Sequence, residues 1–419
     1  MPTVQVTATV EVAEETTLAA LEDQVARTVN QVGRELMAQA MPILEETALA
    51  RAGGARQRPE PRYVLTRFGE VRFCRWKVKT ASGYLHPLDQ ALGLRPHQSL
   101  SPSLATEFAF FAQMLPFRQA ATLLSRLLRI SIDYRRVWRA AREAGRTVRQ
   151  RWESMRAELF DDGALPPPGG PHRMVVVEAD GTAIRCRDGP AEVKLLIWYA
   201  GKRVRRSGTG PRRRRAFLAH KGAYAAVQEV DPFGQTGFCL AERAVGLTRA
   251  RFVLGISDGG GWLPGLFAEW LRVDEHQLDH FHGRKRIRET PGLPSEAASR
   301  WWTLALEGRL AEIVAEATVL IRRGILDPQE ARATVAYLAT GAPKLHAASR
   351  LKDRGAPPAL CSRGSGGIEH NVDLVVARRC KRRGMTGWSR DGASDILALR
   401  CAALDEATWG EVMRQVIPH

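Results

Sequence analysis

Two apolar runs of strand length each end on an aspartate followed by glycine. That repeated ending constrains the fold more than any other feature of the chain. MVVVEADG occupies 174–181 and FVLGISDGGG occupies 252–261. Apolar runs of this length bounded by turn residues read as buried strands. In open α/β sheets, ligands gather beyond the carboxyl ends of such strands. Neighbouring strands there would bring Asp180 and Asp258 together. A third acid, Glu369, follows a glycine-rich run in GSGGIEHN at 364–371, which reads as a flexible loop able to swing it in as a third ligand. One Asp-Gly pair alone is more often a plain turn. Two of them, with GSGGIE, on a basic chain are a stronger signal.

The charge gives the acids their meaning. The formal net charge is +17, from 62 Lys and Arg against 45 Asp and Glu. Such an excess suggests a polyanionic partner. An arginine-rich, high-GC composition accounts for part of it, but not for its clustering. Carboxylates aimed at a polyanion make sense when divalent cations sit between the two, and paired Mg²⁺ ions held by carboxylates cut and rejoin phosphodiesters. Basic clusters suited to phosphate are Arg203, Arg205 and Arg206 continuing to Arg212, Arg213, Arg214 and Arg215, then Arg284, Lys285, Arg286 and Arg288, then Arg378, Arg379, Lys381, Arg382 and Arg383. Each alone reads as solvated surface, but the last two lie near His282 and Glu369 in sequence. Glu178 shares a strand face with Asp180, either as an extra ligand or as an arginine's partner. Asp279 and His282 read as ligand-orienting or phosphate-contacting groups, or as a structural pair. Trp388 reads as a base-stacking residue or a core tryptophan.

Five segments follow from the patterning. Residues 1–60 hold a long helix at about 15–52 with an apolar stripe, then a polar, basic break at 51–61. Residues 61–160 hold a hairpin around Gly69 and three helices, the last arginine-rich, which read as a helix-turn-helix-like DNA-binding region or as a bundle with a charged face. A Pro/Gly linker at 161–171 ends helix and ladder alike. Residues 171–290 read as an α/β core with strands at 174–179, 193–200, 216–220, 251–257 and 277–282, and helices at 231–245 and 262–271. Residues 291–360 turn purely helical, and 361–419 return to the core with Glu369. The six cysteines include no C-x-x-C pair, which fits a reducing cytosol. No signal peptide and no membrane-length apolar run is expected.

The runs EADGT at 178–182, SDGGGW at 257–262, LDHFH at 278–282 and the long stretch from Gly364 to Arg400 resemble insertion-sequence transposases with a ribonuclease-H-like DDE core, of the ISLre/ISKra type. The resemblance is firm from 174 to about 402 and weak from about 68, and it does not reach the first 60 residues. It implies an α/β, ribonuclease-H-like mixed sheet with an all-helical insertion, preceded by a mainly helical DNA-binding region. It implies that Asp180, Asp258 and Glu369 are catalytic and bind two Mg²⁺ or Mn²⁺ ions. The substrate would be double-stranded DNA, as the element's terminal repeats and the target, worked on by a homo-oligomer that is at least a dimer. The setting would be cytoplasmic and nucleoid-associated, with no membrane. DGGG at 258–261 departs from the commoner Asp-Gly-Ala pattern, loosening the loop but keeping the carboxylate. The alternatives are a structure-specific nuclease of the same fold and a non-catalytic DNA-binding derivative.

Overall fold

A computed structural model describes residues 2–206, 214–404, 409–411 and 413–414. Arg212 and Arg213, among the candidate phosphate contacts, lie outside the described residues. The chain divides into two compact units, Met1–Thr147 with a C-terminal tail that includes Trp409, and Val148–Asp405.

In the first unit, α1 (Leu18–Ala52) starts where the Thr17 hydroxyl accepts a hydrogen bond from the Ala20 N–H. Of its residues only Met41, Glu45, Ala48 and Leu49 are buried, all in the C-terminal half. Three antiparallel strands follow, β1 (Ala55–Thr66), β2 (Gly69–Thr80) and β3 (Gly83–Leu85). The first hairpin turns at Gly69, whose φ of +113° suits only glycine. The expected break at 51–61 is therefore strand from Ala55 onward. β1 pairs with β2 alone, so Pro59 and Pro61 sit on an edge where few ladder bonds are lost. Met41 packs with Val64, Val71, Phe73 and Leu88 as this unit's sheet-side core.

The helices are α2 (Pro87–Ala91), α3 (Pro102–Met114), α4 (Phe117–Leu128) and α5 (Tyr134–Phe160). Arg129 stops α4 by taking the left-handed conformation, φ 54° and ψ 36°. Asp133 opens α5 by accepting the Arg135 N–H at 2.6 Å. This is the helix, turn and arginine-rich helix expected from the sequence, with Trp138 exposed on α5.

The second unit is built on a five-stranded sheet in the order β10-β9-β4-β5-β8. Its strands are β4 (Met174–Cys186), β5 (Gly189–Tyr199), β8 (Gly222–Ala226), β9 (Phe252–Ser257) and β10 (Glu275–Leu278). β4, β5 and β8 run antiparallel in succession, while β9 and β10 lie parallel to β4. The run expected as a third strand at 216–220 instead belongs to a separate ribbon of β6 (Gly201–Arg206) and β7 (Arg214–Ala219). α6 (Val230–Val245) covers one sheet face, where a side chain at Gly237 would strike Leu196. α7 (Leu263–Gly265) runs into a π turn at Leu266–Trp270.

Two boundaries differ from expectation. β4 does not end at Asp180, because β5 pairs with it as far as Cys186. The expected strand at 277–282 stops at Leu278, because Asp279 caps α8 (His280–Arg288) by accepting the Phe281 N–H. After α8 come α9 (Ser295–Leu306), α10 (Leu310–Arg322), α11 (Pro328–Gly341) and α12 (Ala347–Asp353). Of these, α9, α10 and α11 close around fully buried Trp301, with Leu278 and Ile287 in the same core. α13 (Gly366–Asn371), a π turn at Val372–Ala377, α14 (Arg378–Cys380) and α15 (Arg390–Ala402) return the chain to the sheet. Gly367 of α13 abuts Glu178, on the face opposite Leu196. Among the described residues, no helix is long and apolar enough to cross a membrane.

Candidate active site

Parallel pairing sets the site. Glu178 of β4 stands opposite Ile256 of β9, so two residues further on Asp180 comes level with Asp258. β9 ends at Ser257 while β4 continues, which leaves Asp180 in mid-strand beside the loop that carries Asp258. Both carboxylates are half-buried. Asp180 accepts the Gly181 N–H at 2.7 Å, and Asp258 accepts the Gly260 N–H at 2.9 Å. On so basic a chain it matters that neither forms an ion pair with lysine or arginine among the described residues. Burial, then repulsion from Asp258 and more weakly from Glu369, pushes the Asp180 carboxyl up to about 6. The three acids therefore share one electrostatic neighbourhood.

Glu369 projects from the first turn of α13 and is exposed. Its Oε1 lies 3.3 Å from His282 Nε2, while His282 Nδ1 lies 3.5 Å from Asp279 Oδ2. The tightest potential ligand group among the described residues is thus Asp279, His282 and Glu369, with ligand atoms within 4.8 Å of one another. Asp180 and Asp258 stand outside that group. Glu369 contacts the histidine, and its charge also reaches Asp180. Oxygen donors without a basic partner suit a hard cation such as Mg²⁺ or Mn²⁺. Asp180 and Asp258 fit that role by chemistry and by the repulsion between them, and Glu369, beside His282, adds to the charge felt by Asp180.

Glu178 is only 1% exposed and does not reach outward as a ligand. Its Oε1 accepts the Tyr199 O–H at 2.7 Å, and its Oε2 accepts the Ile368 N–H at 2.7 Å. Burial raises its carboxyl to about 7. The loop expected to swing freely is pinned, because Ser365 donates both its N–H and its hydroxyl to buried Asp279. Sequence reasoning missed Tyr199, Ser365 and Tyr337. Tyr337, on α11, donates to the Asp258 carbonyl at 3.1 Å. Only the serine sat in a marked motif.

Around this centre Arg284, Lys285 and Arg286 are exposed along α8, next to exposed Phe281. Arg378, Lys381, Arg382 and Arg383 are exposed after the π turn, and Lys381 donates to the Thr182 hydroxyl, two residues from Asp180. Arg379 is a correction. It is 1% exposed, with its guanidinium 4.8 Å from the Trp388 ring centre, so it supports the core and meets no phosphate. Trp388 is likewise buried, its indole N–H donated to the Met385 carbonyl at 2.7 Å. It is a core tryptophan rather than a base-stacking one.

The raised Asp180 carboxyl has a measurable consequence. In the fold it holds its proton up to about pH 6, against about 4 when unfolded. Above pH 6 the metal-free fold carries the cost of a charge that the unfolded chain bears freely. Below about pH 4 both states are protonated and the cost vanishes. Asp180→Asn should therefore stabilise the metal-free protein by about 1–2 kcal/mol at pH 8, allowing for partial exposure, and by almost nothing at pH 4. Thermal unfolding in a chelator at the two pH values checks it, and equal shifts at both would contradict the assigned environment.

Together these elements define a mixed α/β protein whose acidic centre lies where a parallel strand pair ends, bordered by a helical segment. The chain belongs to the family described as "Uncharacterised protein family (UPF0236)", whose profile matches residues 12–415. It is also similar to the "UPF0236 protein in vanSb 3'region" of Streptococcus gallolyticus, 26% identical over 282 residues. That alignment covers 64% of this chain and 58% of the relative.

Proposed function

We propose that the chain is a DNA transposase that cleaves phosphodiesters at the ends of a mobile element and joins the freed 3′-hydroxyl to target DNA. The observation that carries this reading is the pairing of Asp180 with Asp258 at the end of β9, without a basic partner, in reach of Glu369's field. Three antiparallel strands followed by two parallel ones, with helices inserted before the third acid, fit the ribonuclease-H-like core of ISLre/ISKra-type transposases.

Asp180, Asp258 and Glu369 would hold the divalent cations, which supply Lewis acidity to the attacking and leaving oxygens of an in-line displacement. Asp180 gives up its proton on loading, so cation affinity falls as pH drops below about 6. Lys381 at Thr182 and the exposed face of α8 neutralise phosphates on either side. Tyr337 fixes the Asp258 loop from the helical insertion. The arginine-rich start of α5 would read terminal repeats, and two ends require at least a dimer.

The test is a cleavage assay on DNA carrying the element's ends, with Mg²⁺ or with chelator, followed by strand transfer from a pre-cut 3′-hydroxyl end. Metal-dependent nicking and joining support the proposal. Nicking without joining would leave a nuclease, and neither would leave a DNA-binding protein.

A further inference from the structure

Resting on that reading, we infer that Glu178 and Asp279 are positioning residues: two buried carboxylates that grip the backbone of the 364–368 segment and so fix Glu369 at the metal site. Each is 1% exposed. Asp279, at the N-terminus of α8, accepts the Ser365 N–H at 3.0 Å and also the Ser365 hydroxyl. Glu178, on β4, accepts the Ile368 N–H at 2.7 Å while its other oxygen is held by Tyr199 at 2.7 Å. The two grips are three residues apart in the segment, and Glu369 follows the second directly.

The glycines make the grip possible. A Cβ on Gly367 would lie 2.7 and 2.8 Å from the two Glu178 oxygens, so a side chain there displaces the carboxylate or the segment and breaks the grip. The Glu369 N–H donates to the Ser365 carbonyl at 3.2 Å, tying the acid to the gripped residue. A buried carboxylate accepting a backbone N–H is shut off from solvent, and its outer oxygen is already spent on Tyr199. Glu178 therefore acts through hydrogen bonds and not as a ligand. That distinction is testable, because glutamine can accept the Ile368 N–H and donate to the Tyr199 oxygen.

The experiment is calorimetric titration of Mn²⁺ into the full-length protein, with thermal unfolding as a fold control. Asp180→Asn should abolish binding, and retained binding there would refute the metal-site reading itself. Glu178→Gln should bind within about twofold of the parent, whereas Glu178→Ala and Gly367→Ala should each weaken Mn²⁺ by about tenfold or more, as loss of a ligand's supporting partner does. Ser365→Ala should weaken it by several-fold. If Glu178→Ala does not fold, Gly367→Ala and Ser365→Ala decide the question. With Asp180→Asn behaving as stated, Glu178→Gln as inactive toward Mn²⁺ as Asp180→Asn would make Glu178 a ligand. Parental affinity in Gly367→Ala and Ser365→Ala would dismiss the clamp.

Discussion

Asp258→Asn should lower metal-dependent DNA cleavage by at least about a thousandfold, some 4 kcal/mol on the barrier, with the fold intact. Asparagine keeps the size of the side chain and can still accept the Gly260 N–H that Asp258 takes at 2.9 Å. What it removes is the negative charge that, level with Asp180, would hold a cation. Asp180→Asn and Glu369→Gln should fall as far for the same reason. Under the proposed function the three act as one unit, and a variant with both Asp180→Asn and Asp258→Asn should lose little more than either single one. Single-turnover cleavage of end-bearing DNA, read beside thermal unfolding, measures this. An Asp258→Asn protein that cleaves normally would remove the aspartate pair from the chemistry.

The largest expected effect on stability lies in the other unit. Asp89 on α2 is buried between two guanidiniums: it pairs with Arg75 of β2, and its Oδ1 lies 3.8 Å from Arg62 Nε of β1. Arg62 is itself buried and donates to the carbonyls of Arg95 and Gln98 at 2.9 and 2.7 Å. Burial lowers the pKa of both arginines, because the surrounding protein replaces the water that would stabilise their charge. Asp89→Ala leaves two cations facing each other out of water, a change that costs about 3–5 kcal/mol. Urea unfolding of the full chain should show that loss in the transition of the first unit. A loss under about 1 kcal/mol would mean that water reaches the cluster.

The sequence made the acids and the helices legible, and it hid what depends on pairing. Asp258 at a strand end could be read because FVLGIS is a short apolar run with a glycine stop. The helices at Pro102–Met114, Phe117–Leu128 and Tyr134–Phe160 could be read from their periodicity and caps. Asp180 in mid-strand could not, since only the β5 partner carries β4 past the Asp-Gly pair. β8 was missed because GAYAA at 222–226 has small residues of low strand propensity, held in place by β5. Asp279 read as strand because the short QLDHFH run shows no helical periodicity, which hides the capping aspartate of α8. The burial of Arg379, Arg62 and Asp89 was invisible for a general reason. Composition marks charge as surface, and only tertiary partners make an exception. Glu178 could be read only as an extra ligand or an arginine's partner, because the residues that occupy its oxygens, Tyr199 and Ile368, are distant in the chain.

Anomalous diffraction of Mn²⁺ in crystals of this protein would locate the cation site itself. Density is expected between Asp180 and Asp258, with Glu369 turned from His282 to join them at roughly 2.0–2.2 Å. Density confined to Asp279, His282 and Glu369, leaving the aspartate pair bare at saturating Mn²⁺, would contradict that placement.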